Sequence, residues 1–432
     1  MGAIDRDGRV EAGFPALPGM EMSARKRAGE FLGAAAALPA FFALAMIALL
    51  IGAQAAYGQS ETVLYNFTGG SDGGYATSRL TADGAGNFYG TTFGGGLGYG
   101  TVFELSPNGS GGWNETVLYN FTGGLDGGGP LYSYLIFDAS GNLYGTAYAG
   151  GAHGQGVVFE LSPDGVSWSE TVLYSFNSIP PNWTDGSYPE SGLIMDTAGN
   201  LYGTTQTGGG MFQPGVVFEL SPAKGGWTEQ VIFAYPAQDG SAGAGGLTMD
   251  AAGNLYGVGN QVVFELSPGQ GGWTANVLHT FGEPKGGLTA QGIPVLDKNG
   301  NIYGTTLSGG AKGNGTVYKL ILGKKGVWTE KVLYSFKGRK DGSNPLAGII
   351  FDAAGNIYGT TTAGGKTNNG TVYELVAPIG KGSYKEKVLW SFSGPDGSAP
   401  DASLIFDGAG NLYGTTKMGG TAGMGSVFEV VP

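Results

Sequence analysis

The sequence predicts an all-β protein: a seven-bladed β-propeller with four strands per blade, its ring closed by pairing the N-terminal outermost strand with the last blade. Three observations carry this reading. A unit recurs seven times, each unit holds four short β-rich segments, and no segment beyond the N-terminal region keeps a helical period. A β-sandwich or a parallel β-helix is the alternative, but a β-helix prefers shorter coils and does not link its strands through tight hairpins.

Residues 1–55 read as a separate N-terminal extension. Arg25, Lys26 and Arg27 precede an uncharged apolar run from Phe31 to Gly52, and Ala53-Gln54-Ala55 then offers a small-residue cleavage site. This is the layout of a secretory signal peptide, although the run is also long enough for an uncleaved signal anchor. Either way residues 56–432 are expected to be exported, to the periplasm, the cell surface or the medium. Translation starting at Met20 or Met22 would give the signal a more usual length. The only membrane contact expected is through this segment.

The repeat begins at Glu61 with "ETVLYNF". It returns at Glu115, Glu170, Glu229, Ala275, Glu330 and Glu386, at spacings of 54, 55, 59, 46, 55 and 56 residues. Each unit continues through an apolar run ending in Asp, then Gly-Asn and a "[LFI]-Y-G" segment, a glycine-rich loop, and a segment such as "TVFEL". Enrichment in Val, Ile, Tyr, Phe and Thr between turn signals marks these as strands. With the Asp-ending strand innermost, "NLYG" is second, "TVFEL" third and the next "ETVLYSF" outermost. Glu61–Phe67 is then expected beside Ser426–Val430, which removes the exposed edge at the seam.

The recurring acids Asp83, Asp138, Asp196, Asp250, Asp297, Asp352 and Asp407 each stand three residues before a Gly-Asn pair. Asp accepts backbone N–H groups just ahead of it, and Gly supplies the positive φ of a tight turn. Seven identical copies suit architecture better than chemistry, which needs one asymmetric constellation. A second acid precedes Gly at Asp72, Asp126, Asp185, Asp239, Asp341 and Asp396, in loops entering each blade on the opposite face. Only the fifth unit departs, with "GEPKGG". That face also carries the glycine-rich loops and the irregular units: the third inserts "SIPPNWTDGSYPES", and the fourth lacks its glycine-rich loop. The six acid–Gly carboxylates, with Trp183, Tyr188, Tyr132 and Tyr75, are therefore the candidate ligand-binding residues, since aromatic rings beside carboxylates suit sugars. Alternatively, these rings pack beneath their own loops.

Trp113, Trp168, Trp227, Trp273 and Trp328 share a position before the outermost strand and read as plugs between blades. Glu residues recurring on the third and outermost strands read as solvated charge that blunts edges.

The composition narrows the chemistry. There is no cysteine, hence no disulfide, thiol nucleophile or lipid attachment through sulfur. Two histidines, His153 and His279, cannot form a three-histidine zinc site, and no catalytic site residues or metal ligands stand out. A net charge of −12 without basic clusters beyond the N-terminus gives nucleic acid no footprint. Cofactor-binding glycine motifs are absent, so no cofactor is expected.

The pattern "YGTTFGGGLGYGTVFEL" from Tyr89, repeated as "YGTTLSGGAKGNGTVYKL" from Tyr303, resembles the GloVer repeat of bacterial exported proteins. The resemblance spans about residues 61–432. It implies a secreted or cell-envelope protein without an assigned biochemical role, and brings no catalytic residues with it. Members often carry a C-terminal anchor, whereas here anchoring is expected to be N-terminal. The function expected is a non-catalytic binding or scaffolding module whose partner is carbohydrate, another surface polymer or a surface protein. A polysaccharide hydrolase or lyase with its site at the central mouth is the alternative, and regularity speaks against it because no unit holds a unique cluster of catalytic residue types.

Overall fold

The computed structural model describes residues 59–178, 184–210, 215–235, 245–259, 261–282, 286–324 and 326–432. These form seven antiparallel sheets of the expected order, innermost to outermost. In the first blade the strands are Thr81–Ala82, Phe88–Thr92, Thr101–Pro107 and Trp113–Asn120. The seventh blade takes three strands from the end of the chain and its outermost, Ser60–Asn66, from the beginning. That strand runs antiparallel to Ser426–Val431, with Glu61 opposite Val430 and Thr62 opposite Glu429. The molecule is a seven-bladed β-propeller, closed as the repeat phase predicts.

The core lies between the blades. Each of seven apolar clusters joins one sheet to its neighbour, and the seam is no exception: Phe67, Val427 and Tyr413 pack against Leu80, Phe88 and Phe103. At every junction an aromatic following an outermost strand meets edge-on an aromatic of the next blade's third strand. Phe67 and Phe103 do so with centroids 5.1 Å apart, Phe336 and Tyr373 likewise at 5.1 Å. Burying such a ring contributes about 1.5–3 kcal/mol. The glycine of each "YG" makes the room, since a methyl group on Gly90 would sit 2.6 Å from the Phe103 ring.

Two departures from the expected elements have physical causes. Most innermost strands are only two residues long, as in Ile136–Phe137 and Ile405–Phe406. In the first two blades a serine side chain just before the innermost strand replaces the ladder: Ser78 Oγ accepts the Thr91 N–H at 2.9 Å, and Ser133 Oγ that of Thr146 at 2.8 Å. The serine carbonyls turn to the preceding blade, whose threonine donates to them: Thr91 Oγ1 to Ser133 O at 3.1 Å and Thr415 Oγ1 to Ser78 O at 3.0 Å. In addition, part of the third unit's insertion becomes a strand, Gly186–Pro189, along the lengthened second strand Leu201–Gly208.

Candidate functional site

The acids of the hairpin turns build the scaffold. Asp250 Oδ1 accepts the N–H groups of Ala252 and Asn254, both at 2.9 Å, and its Oδ2 accepts Asn254 Nδ2 and the Tyr256 hydroxyl at 2.9 and 3.2 Å. Gly253, at φ 84°, permits the bend. Burial alone would raise these carboxyls, but the donors outweigh it and hold Asp83, Asp138, Asp196 and Asp250 below the ordinary range.

The acid–Gly carboxylates enter the blade junctions. Asp72 Oδ2 accepts the Thr68 N–H at 2.8 Å and the Tyr65 hydroxyl at 3.1 Å, both from the strand that leads into its loop. Asp126, Asp185 and Asp341 repeat the bond to Tyr119, Tyr174 and Tyr334, and Asp396 takes Trp390 Nε1 at 3.0 Å. Asp239 and Trp183 lie outside the described residues. Tyr188 stacks on Tyr148 with centroids 5.0 Å apart. Tyr75 and Tyr188 both have positive φ, and their N–H groups bond to the preceding blade's glycine-rich loop at Met424 O and Gln155 O. Of the eight expected residues that are described, Tyr132 alone lines the axial cavity.

The recurring glutamates are not solvated edge charge. Glu61, Glu115, Glu170, Glu229 and Glu386 sit half-buried on outermost strands, each with one carboxyl oxygen buried and without a partner. Burial first, then the acid of the loop entering the same blade, pushes each up to about 7. The loop entering the fifth blade lacks the Asp-Gly pair, and there Glu330 accepts the Gly287 N–H at 3.0 Å and faces His279 Nε2 at 3.4 Å. On third strands the glutamates bond inward, as when Tyr413 donates to Glu429 at 2.9 Å and Trp273 Nε1 to Glu219 at 3.1 Å.

The asymmetric chemistry lies on the propeller axis. A cavity of about 320 Å³ is lined by the entries to all seven innermost strands. Counting back from the turn Asp, the sixth residue is Thr77, Tyr132, Glu190, Gln291, Leu346 or Asp401 in the described units. The fourth is Arg79, Tyr134, Gly192, Gly246, Ile293, Gly348 or Ser403. Polar groups come from the first, second, third, fifth and seventh blades, while glycine and aliphatic residues come from the fourth and sixth and, beside Gln291, from the fifth. Most units present these side chains from just before the innermost strand, and the fifth presents Gln291 and Ile293 from within its longer one, Ala290–Leu296.

Within the cavity Tyr134 is 4% exposed and the Arg79 guanidinium lies over its ring, 4.4 Å from the centroid. Gly192 clears the space for that ring, because a methyl there would approach it to 2.4 Å. Glu190, 8% exposed, accepts Gln206 Nε2 at 3.0 Å, and Gln206 in turn accepts the Tyr148 hydroxyl at 2.9 Å. Asp401 is 5% exposed and its Oδ1 has no partner; Gln291 Oε1 and Arg79 Nε are likewise buried and unpartnered among the described residues. Burial pushes the Asp401 carboxyl up to about 7, against the pull of Lys417 and Tyr132. Burial also raises Glu190 and, together with the charge of Asp401, the Tyr132 phenol. Among the described residues no three His, Asp or Glu side chains form a metal-binding set.

Reading units one at a time misses this cluster, since no unit holds it. Superposing the seven units on their turn Asp reveals it, because the sixth and fourth positions before that Asp vary in chemistry while their neighbours repeat.

Fold and site together define a repeat-built propeller with an axial polar cavity. The Gloeobacter/Verrucomicrobia repeat matches residues 54–262 and again 258–432, and the chain belongs to that family. No curated protein matches it. Among solved structures it is similar to the extracellular domain of a one-component system from B. thetaiotaomicron, at 14% identity and a TM-score of 0.53. That match covers 87% of this chain and 42% of the other, so the chain spans less than half of that structure. A second similarity, to the extracellular domain of a hybrid two-component system from B. thetaiotaomicron, has 13% identity, a TM-score of 0.52 and coverage of 87% and 42%. A gluconolactonase from Xanthomonas campestris aligns at 12% identity and a TM-score of 0.42, over 86% of this chain and 89% of that one. The first two likenesses describe the fold. Among the described residues no helix is long and apolar enough to cross a membrane.

Proposed function

We propose that this protein is an exported, non-catalytic binding module that holds a small polar ligand, of carbohydrate class, in its axial cavity. One observation carries the reading: the blades repeat closely in their turns and packing, yet differ at the residues that meet on the axis, where buried polar atoms lack partners. An unpartnered buried acceptor costs about 1–3 kcal/mol, a cost that a bound hydroxyl group removes. Mixed polar and aliphatic walls with a few convergent polar groups are the usual make-up of small-molecule sites. Export rests on the signal-like N-terminal segment, and N-terminal sequencing of protein recovered outside the cytoplasm tests it.

A glycan array with the purified protein tests the binding reading, followed by an assay of each hit for turnover. Binding without cleavage, abolished by Glu190→Gln together with Asp401→Asn, is the expected outcome. A silent array would favour a protein partner. Cleavage of a bound glycan would instead support a hydrolase or lyase. One observation favours that second reading: Asp401 and Glu190 are two carboxyls of unequal surroundings in one cavity, as acid–base pairs require.

A further inference from the structure

We infer that the axial cavity takes a single sugar acid, its carboxylate gripped side-on by Arg79 and its hydroxyl groups donating to Asp401 Oδ1 and Gln291 Oε1. This inference rests on the axial cavity being the binding site and names its ligand class. Its starting point is a mismatch of charges. A guanidinium and two buried carboxyls line one cavity, yet Arg79 pairs with neither acid within ion-pair distance among the described residues. A charge left without a partner in a partly desolvated site is costly, and a complementary ligand relieves it.

The orientation of Arg79 specifies what that complement is. The Tyr134 ring covers one side of the guanidinium, its centroid 4.4 Å from Cζ, which leaves the edge of the group for a partner. On that edge Nε is buried and has no hydrogen-bond partner. Nε–H and the adjacent Nη–H form the two-pronged fork that fits the two oxygens of a carboxylate, a geometry that neither a neutral hydroxyl nor an amide reproduces.

The remaining lining requires donors rather than a second anion. Asp401 Oδ1 and Gln291 Oε1 are buried acceptors without donors, and they come from the seventh and fifth blades, so they can be reached together only by a group on the axis. Hydroxyls of Thr77, Ser191 and Ser403 surround the same space and can serve as donor or acceptor. From the fifth and sixth blades, Ile293 and Leu346 add an aliphatic surface for the C–H face of a ring. A cavity of about 320 Å³ lies at the lower end of the ~300–1,000 Å³ of small-molecule sites and suits one ring rather than a length of polymer. A compact ring with one carboxylate, several hydroxyls and an apolar face is a uronic acid.

Calorimetric titration of the full protein with D-glucuronate, D-galacturonate, D-glucose and glycine tests this. A uronate is expected to bind at least tenfold more tightly than glucose. Arg79→Gln should weaken that uronate tenfold or more and leave the thermal midpoint near that of the parent, with Arg79→Lys falling between. Asp401→Asn, which keeps size and loses an acceptor oxygen, should weaken the uronate as well. Equal affinity for glucose and the uronates, or a uronate affinity unmoved by Arg79→Gln, would overturn the sugar-acid assignment. If that glucose binding were still lost in Asp401→Asn, the axial site would stand and only the ligand class would fall. Binding of glycine in preference to the sugars would replace the class with amino acids. Absence of binding by any of the four, with a silent glycan array, would remove both the class and the site.

Discussion

Asp250 collects four hydrogen bonds within seven residues, more than any other side-chain type could accept at that bend. Asp250→Ala leaves three backbone or amide donors to find water, while the Tyr256 hydroxyl keeps Glu265 at 3.0 Å, and is expected to cost about 2–3 kcal/mol, readable as a lower urea midpoint. Asp297 adds an ion pair, because Lys319 replaces the glutamate found there in other blades and brings its Nζ to 3.4 Å. Burial works against ionisation, but the donors of Asn301, Asn299 and Tyr303 prevail and lower this carboxyl to about 2, from an ordinary value of 3.8. The folded value is the lower one, so this stabilisation is complete above pH 3.8 and is lost as pH falls through about 2. An acid titration of the thermal midpoint should therefore be shallower between those limits in Asp297→Asn than in the parent.

At the scale of the element, the second strand of each blade does two things at once, and both can be broken singly. A methyl on Gly257 would come 2.3 Å from the Phe264 ring, so Gly257→Ala should destabilise by about 1–3 kcal/mol through overpacking. At the next residue, a threonine passes a hydrogen bond to the next blade around the axis, except in the fourth blade, where Val258 occupies that place. Thr415→Val keeps the shape and strands the Ser78 carbonyl at the seam, at a cost of about 1–2 kcal/mol measured by denaturant unfolding. Strand identity, order and the hairpin turns were legible in the chain, since period-2 patterning and Asp-x-x-Gly-Asn are local signals. The brevity of the innermost strands was not; in the first two blades Ser78 and Ser133 replace ladder bonds with side-chain bonds that leave no trace in hydrophobic patterning. The glutamates were misread for a related reason: position on an outer strand predicts exposure, but the neighbouring blade covers the face they occupy.

Across the whole molecule those glutamates act together. Five carboxyls, Glu61, Glu115, Glu170, Glu229 and Glu386, stand at about 7 in the folded protein against 4.5 for an ordinary glutamate. With the folded value the higher, their contribution to stability is complete below pH 4.5 and is lost as pH rises through about 7. The thermal midpoint is thus expected to fall between pH 5 and pH 8, and replacing all five by Gln should flatten that fall. Blade number and ring closure were legible because they follow from counting units. The axial cluster was legible only in part: Tyr132 stood out as an aromatic, whereas Arg79, Glu190, Asp401 and Gln291 lie one or two to a unit and meet only when the ring forms. Closure also sets the order of events in folding. Ser60–Asn66 and Ser426–Val431 are the most distant segments of the propeller along the chain, yet they are hydrogen-bonded neighbours. Closing so long a loop is entropically costly, and topologies dominated by such pairings fold slowly. The seventh sheet is therefore expected to complete last, so that until it does the outer edge of Ser426–Val431 stays open to strands of other chains, and the seam is the point where misassembly would begin.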